Sequence, residues 1–174
     1  MAVQGLGNVG FPLCDCLHRH GARLIVTDID IHRVASAVRQ FGAIAVSIDD
    51  IYDQEAEVFA PCALGSVLND ATVPRLRAKI ICGGANNQLA EPGHGAMLAE
   101  RRITYIPDYL ANAGGVIDYH QEGIDDSPSA VMAAVAGIAE ITREVLTRAA
   151  QDGRTPLETA DSMVIDRLTA PRPA

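Results

Sequence analysis

"GLGNVG" at residues 5–10, entered from the apolar pair Ala2 and Val3 and followed at once by Phe11 to Cys14, is the stretch on which the fold turns. Three glycines at this spacing suit a strand that reverses sharply into a helix. The first, Gly5, allows the tight turn, the second, Gly7, lets backbone approach a ligand, and the third, Gly10, lets the helix pack close to the strand. Taken alone the spacing is weak. Its setting strengthens it, because "ARLIVTDID" follows at 22–30 and ends an apolar run on Asp28, 18 residues beyond Gly10. A carboxylate there can take the hydroxyls of a ribose while phosphates meet the helix N-terminus, with Asn8 and Val9 in the turn and Ile29 beside the ribose. An aspartate at that point repels a 2′-phosphate, and no arginine directly replaces it, so the pattern favours NAD over NADP. Asp28 also suits a turn or helix-capping role, although Asp30 suits that role better.

Working outward, short apolar segments recur at 2–3, 24–26, 44–46, 58–59, 80–82 and 104–106, each bounded by Gly, Pro, Asp or Asn, as buried parallel strands are. Helical stretches fit between them at 11–20, 31–41, 73–77 and 94–101, while the link between the third and fourth strands is too short for a clear helix. From Ser127 the pattern is helix alone. Ser127 can cap a helix opened by Pro128 and stopped by Gly153, and Thr155 with Glu158 has capping-box spacing for a last helix reaching about Leu168. The sequence therefore predicts an α/β, Rossmann-like, doubly wound and mostly parallel sheet with a C-terminal helical extension. The boundaries expected are a dinucleotide-binding domain over 1–125 and two helices over 126–174, with "HQEGIDDSPS" at 120–129 as the hinge.

Composition narrows the partners. The 174 residues are 48% hydrophobic and carry a net charge of −8 without a Lys/Arg stripe, which argues against nucleic acid or an anionic membrane surface. No apolar run approaches the ~20 residues of a membrane span, and no signal peptide is visible, so a cytoplasmic protein is expected. Cys14, Cys16, Cys62 and Cys82 are scattered without a C-x-x-C pair and read as small buried thiols. No metal site is expected.

Three loops after later strands are rich in Gly, Ala and Asn: "APCALG" at 60–65, "GGANNQL" at 83–89 and "PDYLANAGG" at 107–115. Backbone can approach a flat ring there, and Asn86, Asn87 and Asn112 add amide donors and acceptors. Plain turn chemistry explains each of these asparagines equally well.

The run from "VQGLGNVG" through "VTDID", "VFAPCALG", "LND" and "IICGGANNQLAEPGHG" to "IPDYLANAGGVID" resembles the nucleotide-binding domain of the glutamate/leucine/phenylalanine/valine dehydrogenase family, nearest its leucine, valine and phenylalanine branch. The resemblance covers nearly the whole chain. It implies reversible NAD-linked oxidative deamination of an L-amino acid to a 2-oxo acid and ammonia. It also implies that Gly5, Gly7 and Gly10 hold the pyrophosphate, that Asp28 holds the adenosine ribose, and that Cys62, Ala63, Ala85 and Asn86 line the nicotinamide side. Asn112 would position substrate amino group and nicotinamide at the reacting centre.

In that family a separate N-terminal domain supplies the substrate pocket, with a lysine and an aspartate for the proton transfers. The only lysine here is Lys79, entering a strand at the end away from the cofactor, and arginine holds its proton too firmly to act as a base. His18, His20, His32 and a surface-like His94 lack ligand spacing, and His120, just past "NAGGVIDY", is the histidine nearest the expected site. The chain therefore reads as beginning inside its central strand, either a truncated enzyme or the product of a gene for the cofactor half alone, inactive by itself and dependent on a separate catalytic domain for its amino-acid substrate. A homodimer or higher oligomer is expected, because the last helices would leave an apolar face to cover. Two other classes stay open: a stand-alone NAD-sensing regulatory module, against which "GGANN" and "NAGG" argue, and a small complete oxidoreductase of another family.

Overall fold

Ala2–Gln4 (β1) is buried along its whole length and forms the middle of the sheet: Ala2 and Val3 are apolar, and Gln4 donates its Nε2 to the Tyr52 hydroxyl at 2.8 Å. Val3 pairs with Val26 of β2 (Ile25–Thr27) on one side and with Ala60 of β4 (Val58–Pro61) on the other, both in parallel. β3 (Ile44–Ala45), β5 (Ile80–Ile81) and β6 (Thr104–Tyr105) complete a six-stranded sheet in the order β3-β2-β1-β4-β5-β6. The chain first winds outward through β2 and β3 and then crosses back to β4. That reversal lies between β1 and β4, and it opens a crevice at the carboxyl ends of those two strands. The doubly wound α/β sheet expected from the sequence is the one the chain forms.

The computed structural model describes residues 1–121 and 127–170. The chain divides into two compact units, Met1–Thr104 and Tyr105–Ala174. The boundary expected at 125/126, and half of the expected hinge at 120–129, lie outside the described residues.

In the first unit α1 (Gly10–Arg19) and α2 (Ile31–Phe41) bury Cys14, Ala37 and Phe41 against Val3, Leu24 and Val26. Phe11 adds a tilted ring contact to Phe41 at 5.1 Å. Fully burying such an apolar side chain is worth roughly 1.5–3 kcal/mol, so this layer holds both helices on one face of the sheet. Asp30 caps α2 by accepting a hydrogen bond from the His32 amide at 2.9 Å. The stretch 73–77, expected to be helical, is only a 3-10 turn at Val73–Arg75. Asn69 explains the difference: its Oδ1 accepts from the amides of Ala71 and Thr72 at 3.0 and 3.1 Å, so the chain spends its turn in a side-chain clasp before entering β5. A second 3-10 turn, Asp50–Asp53, fills the link between β3 and β4. α3 (Gly93–Glu100) precedes β6.

In the second unit the stretch read as a loop at 107–115 holds α4 (Asp108–Ala111) and the start of α5 (Gly114–Gln121). Both pack against α6 (Pro128–Asp152), which also packs against α7 (Pro156–Thr169). The expected caps are present. Ser127 Oγ accepts from the Ala130 amide, α6 stops at Gly153, and Thr155 and Glu158 exchange hydrogen bonds at 2.9 and 3.2 Å.

The Thr155 amide holds the Glu158 carboxyl below its ordinary 4.5. A depressed carboxyl stabilises the fold above its unfolded pKa, and that contribution fades as pH falls through the lower folded value. The Tm difference between the wild type and Glu158→Gln is therefore present at neutral pH and shrinks below about pH 4.5. A difference that stays constant on acidification contradicts the cap. A second test concerns close approach: a Cβ on Gly10 would stand 1.9 Å from the Gly5 carbonyl oxygen, whereas one on Gly93 meets nothing within 4 Å. Gly10→Ala should cost at least about 2 kcal/mol in urea unfolding, while Gly93→Ala should gain roughly 0.5–1 kcal/mol. Equal effects at the two positions would refute the crowding.

Candidate functional site

Three loops leave the carboxyl ends of β1, β4 and β5, and backbone hydrogen bonds tie them to one another. Gly5 donates to Thr27 O at 2.8 Å, Cys62 to Gln4 O at 2.7 Å, and Ala85 to Pro61 O at 2.9 Å. The turns touch so closely that side chains would not fit between them. A Cβ on Gly5, whose φ is +92°, would stand 2.8 Å from Ala63, and one on Gly84 would stand 2.5 Å from Val9 Cγ1. Gly5, Gly10, Cys62, Ala63 and Ala85 are thereby brought to one edge of the first unit, as the sequence predicts.

The start of α1 is electrostatically open. Its N-cap, Val9, offers no side-chain hydrogen bond, and the first turn contains no acidic residue. That turn carries the positive end of the helix dipole, and no acidic side chain of α1 itself offsets it. A Cβ on Gly7 would meet only Arg33 Nη1, 3.7 Å away, so the turn presents backbone rather than side chain. Asn8 and Val9 are exposed beside it.

Asp28 is both a structural and an available group. Its Oδ2 accepts the Leu6 amide and its Oδ1 accepts the Asp30 amide at 2.8 Å, which locks the end of β2 to the glycine turn. The turn role foreseen for aspartates here is thus shared between Asp28 and Asp30. A carboxylate has about four acceptor sites, so Asp28 retains capacity for further donors. Beside it a groove of about 600 Å³ is lined mainly by apolar side chains, among them Val34, Val46 and Ile48, with Ile29 at its mouth. A larger cavity of about 790 Å³ opens at the other, amino end of the strands. It holds Lys79, whose Nζ is paired with both oxygens of Glu57 at 3.0 and 3.1 Å.

The loop at 83–88 is braced by Gln88. This side chain is fully buried, and its Nε2 donates to Gly83 O at 2.8 Å and to Ala85 O at 2.9 Å. Nothing in "GGANNQL" distinguishes this glutamine from the exposed asparagines before it, and its role was not foreseen. Asn87 has φ +51°, the left-handed turn conformation that asparagine tolerates, and Asn86 is exposed.

The thiols differ from the sequence reading. Cys14 is buried, Cys62 and Cys82 are half-buried, and Cys16 is exposed on α1. Burial pushes Cys14 up to about 11 and raises Cys62 and Cys82, so these three are neutral thiols at pH 7 rather than nucleophiles. His94, expected at the surface, is buried: its Nδ1 accepts from the Glu91 amide at 3.0 Å and its Nε2 reaches Asp70 Oδ1 at 3.1 Å. Among the described residues no group of three or more His, Cys, Asp or Glu is arranged to hold a metal ion, and no helix is long and apolar enough to cross a membrane.

Asn112 belongs to the second unit. It is half-buried and ends α4, with its amide donating to Asp108 O at 2.8 Å. Asp108 in turn accepts from the Tyr105 hydroxyl at 3.5 Å, and Tyr109 donates to Asp161 at 2.6 Å. His120 is exposed in the last turn of α5.

A parallel sheet that reverses at β1, with a glycine turn and an aspartate at the reversal, defines a Rossmann-like domain. The chain belongs to the Glutamate/Leucine/Phenylalanine/Valine dehydrogenase family, whose model matches residues 29–134. It is 46% identical over 174 residues to leucine dehydrogenase from Geobacillus stearothermophilus, covering 100% of this chain and 47% of that protein. It is 40% identical over 172 residues to phenylalanine dehydrogenase from Caldalkalibacillus thermarum, of which it covers 46%. The crystal structure of L-tryptophan dehydrogenase from Nostoc punctiforme superposes with a TM-score of 0.92 at 42% identity, over 95% of this chain and 51% of that one. Hetero-hexameric glutamate dehydrogenase from Thermus thermophilus superposes at 0.75 with 25% identity, over 96% of this chain and 45% of that one. The chain thus spans about half the length of the relatives it matches.

Replacing Gln88 by leucine would strand two carbonyls in a buried loop, at a cost of about 1–3 kcal/mol. A urea midpoint unchanged in Gln88→Leu would show that the loop does not depend on this brace.

Proposed function

We propose that this chain is the NAD(H)-binding part of an amino-acid dehydrogenase, acting in the oxidative deamination of an L-amino acid with an apolar side chain to a 2-oxo acid and ammonia. The observation that carries the reading is the coupling of Asp28 to the glycine turn through the Leu6 amide, beside a helix start that has neither cap nor acid. Donors for phosphate, an acceptor for ribose and an apolar groove for a flat base succeed one another along one edge. The residues present therefore fit a dinucleotide. The names of the leucine, tryptophan and phenylalanine dehydrogenases among the relatives support the substrate class.

Bound NAD supplies a hydride acceptor, and the residues of the chain supply position. In this reading Gly5 shapes the turn, its own amide being held by Thr27 O, and Gly7, Asn8, Val9 and Gly10 bring backbone to the pyrophosphate, where the helix dipole favours negative charge. Asp28 accepts from the ribose hydroxyls, with Ile29 against the base side of the ribose, and its charge opposes a 2′-phosphate. Cys62, Ala63, Ala85 and Asn86 flank the nicotinamide, where small residues and a neutral thiol keep water out without adding charge. Asn112 is the catalytic residue proposed for this chain, holding the substrate amino group by its amide.

Deamination also needs a base of depressed pKa to activate water, since hydride transfer alone does not release ammonia. Lys79 does not meet that need. It is exposed and ion-paired with Glu57 at the amino end of the strands, away from the glycine turn. The chain by itself is accordingly proposed to be inactive, with a separate domain completing the pocket, and to assemble as a dimer or higher oligomer.

A calorimetric titration tests the reading. NAD should bind saturably to the purified chain, NADP at least several-fold more weakly, and Asp28→Ala should weaken NAD by about tenfold, the value of one or two charge-assisted hydrogen bonds. Absence of binding to either nucleotide would sink the proposal. Incubation with NAD and leucine or phenylalanine should yield no NADH, and turnover abolished by Lys79→Ala would overturn the proposed inactivity.

A further inference from the structure

Arg33 stands in the first turn of α2, and its guanidinium reaches back over the glycine turn, with Nη1 3.7 Å from where a Cβ on Gly7 would be. Its other edge is held. Nε lies 3.4 Å from Asp30 Oδ2, while Asp30 Oδ1 is anchored by the His32 amide. Both members of this pair are about half exposed, so it contributes little stability, but it aims the fork. Between the starts of α1 and α2 runs a groove of about 720 Å³ lined by Gly7, Asn8, Arg33 and Ser36 among others.

Charge makes this placement matter. The chain carries a net −8, and a dinucleotide pyrophosphate brings two more negative charges to it. Salt screens distant charges beyond about 8 Å, so the nearest groups set the local field. The α1 amides offer only partial positive charge, and the neighbouring carboxylates of Asp28 and Asp30 oppose an anion. Arg33 is the full positive charge facing the turn from α2. A planar fork with donors left over after one carboxylate contact suits phosphate oxygens.

We propose that Arg33 is a phosphate-binding residue, closing on the dinucleotide pyrophosphate at Gly7 from the α2 side while the amides of the α1 turn hold it from the other. The proposal rests on the nucleotide reading above. The position of Nη1 over the second glycine favours the pyrophosphate, and the comparison of NADP with NAD separates this from a 2′-phosphate contact.

The test titrates the full chain with adenosine, ADP, NAD and NADP, as wild type, Arg33→Gln and Arg33→Lys, with circular dichroism to confirm that each variant is folded. Arg33→Gln should weaken ADP and NAD about five- to twentyfold and flatten their salt dependence, leaving adenosine within about twofold, and Arg33→Lys should restore part of the loss. Unchanged ADP affinity, or equal losses for adenosine and ADP, would overturn the proposal while leaving the nucleotide site intact. A loss confined to NADP would overturn it in favour of a 2′-phosphate contact. A wild type that binds neither adenosine nor ADP would remove the nucleotide reading, and this proposal with it.

Discussion

Gly10 lies so close to the carbonyl of Gly5 that a single added methyl would come within 1.9 Å of that oxygen, and the first unit is organised around this contact. It forces the chain leaving β1 to turn at once into α1, so the helix begins over the end of the central strand. Because the turn is compact, its Gly5 amide reaches β2 at Thr27, and the loop after β4 docks under it through Cys62. The third loop follows, since Ala85 hydrogen bonds to Pro61 of the same β4 edge. A bulkier residue at position 10 would separate α1 from β1 and dissolve the meeting point of all three loops.

Polar groups near that meeting point serve packing first. Asp28 holds the Leu6 and Asp30 amides, so the carboxylate suited to a ribose is already oriented by the protein. Preorganisation of this kind lowers the ordering cost of binding, because the acceptor does not have to be immobilised by the ligand. Gln88 does the same for the loop at 83–88 by closing on two carbonyls. Cys62 stays neutral through burial, so the edge proposed for the nicotinamide carries no competing anion.

Much of this was legible in residues. The six strands, α1, α2, α6 and α7, the Asp30 and Ser127 caps and the Thr155–Glu158 box all follow from short-range patterns: apolar runs, capping spacing and stop glycines. Where local pattern and structure differ, the cause is a partner outside the stretch. The residues of Val73–Arg75 allow a helix, yet the Asn69 clasp upstream determines its form. "EPGHG" has the composition of a surface loop, yet His94 is buried against Asp70, 24 residues earlier. α4 and α5 were hidden within a stretch whose glycines and asparagines suggested only turns.

The sequence by itself determined the sheet, the glycine turn and the aspartate that faces it, because each depends on residue types within a few positions of one another. Only the tertiary structure decided that Arg33 lies over Gly7, that Gln88 is a buried brace and that Lys79 takes Glu57 as its partner. Those facts depend on where the sheet sets distant segments side by side. The energy of such a contact belongs to a pair of side chains, and no local pattern of either partner encodes it.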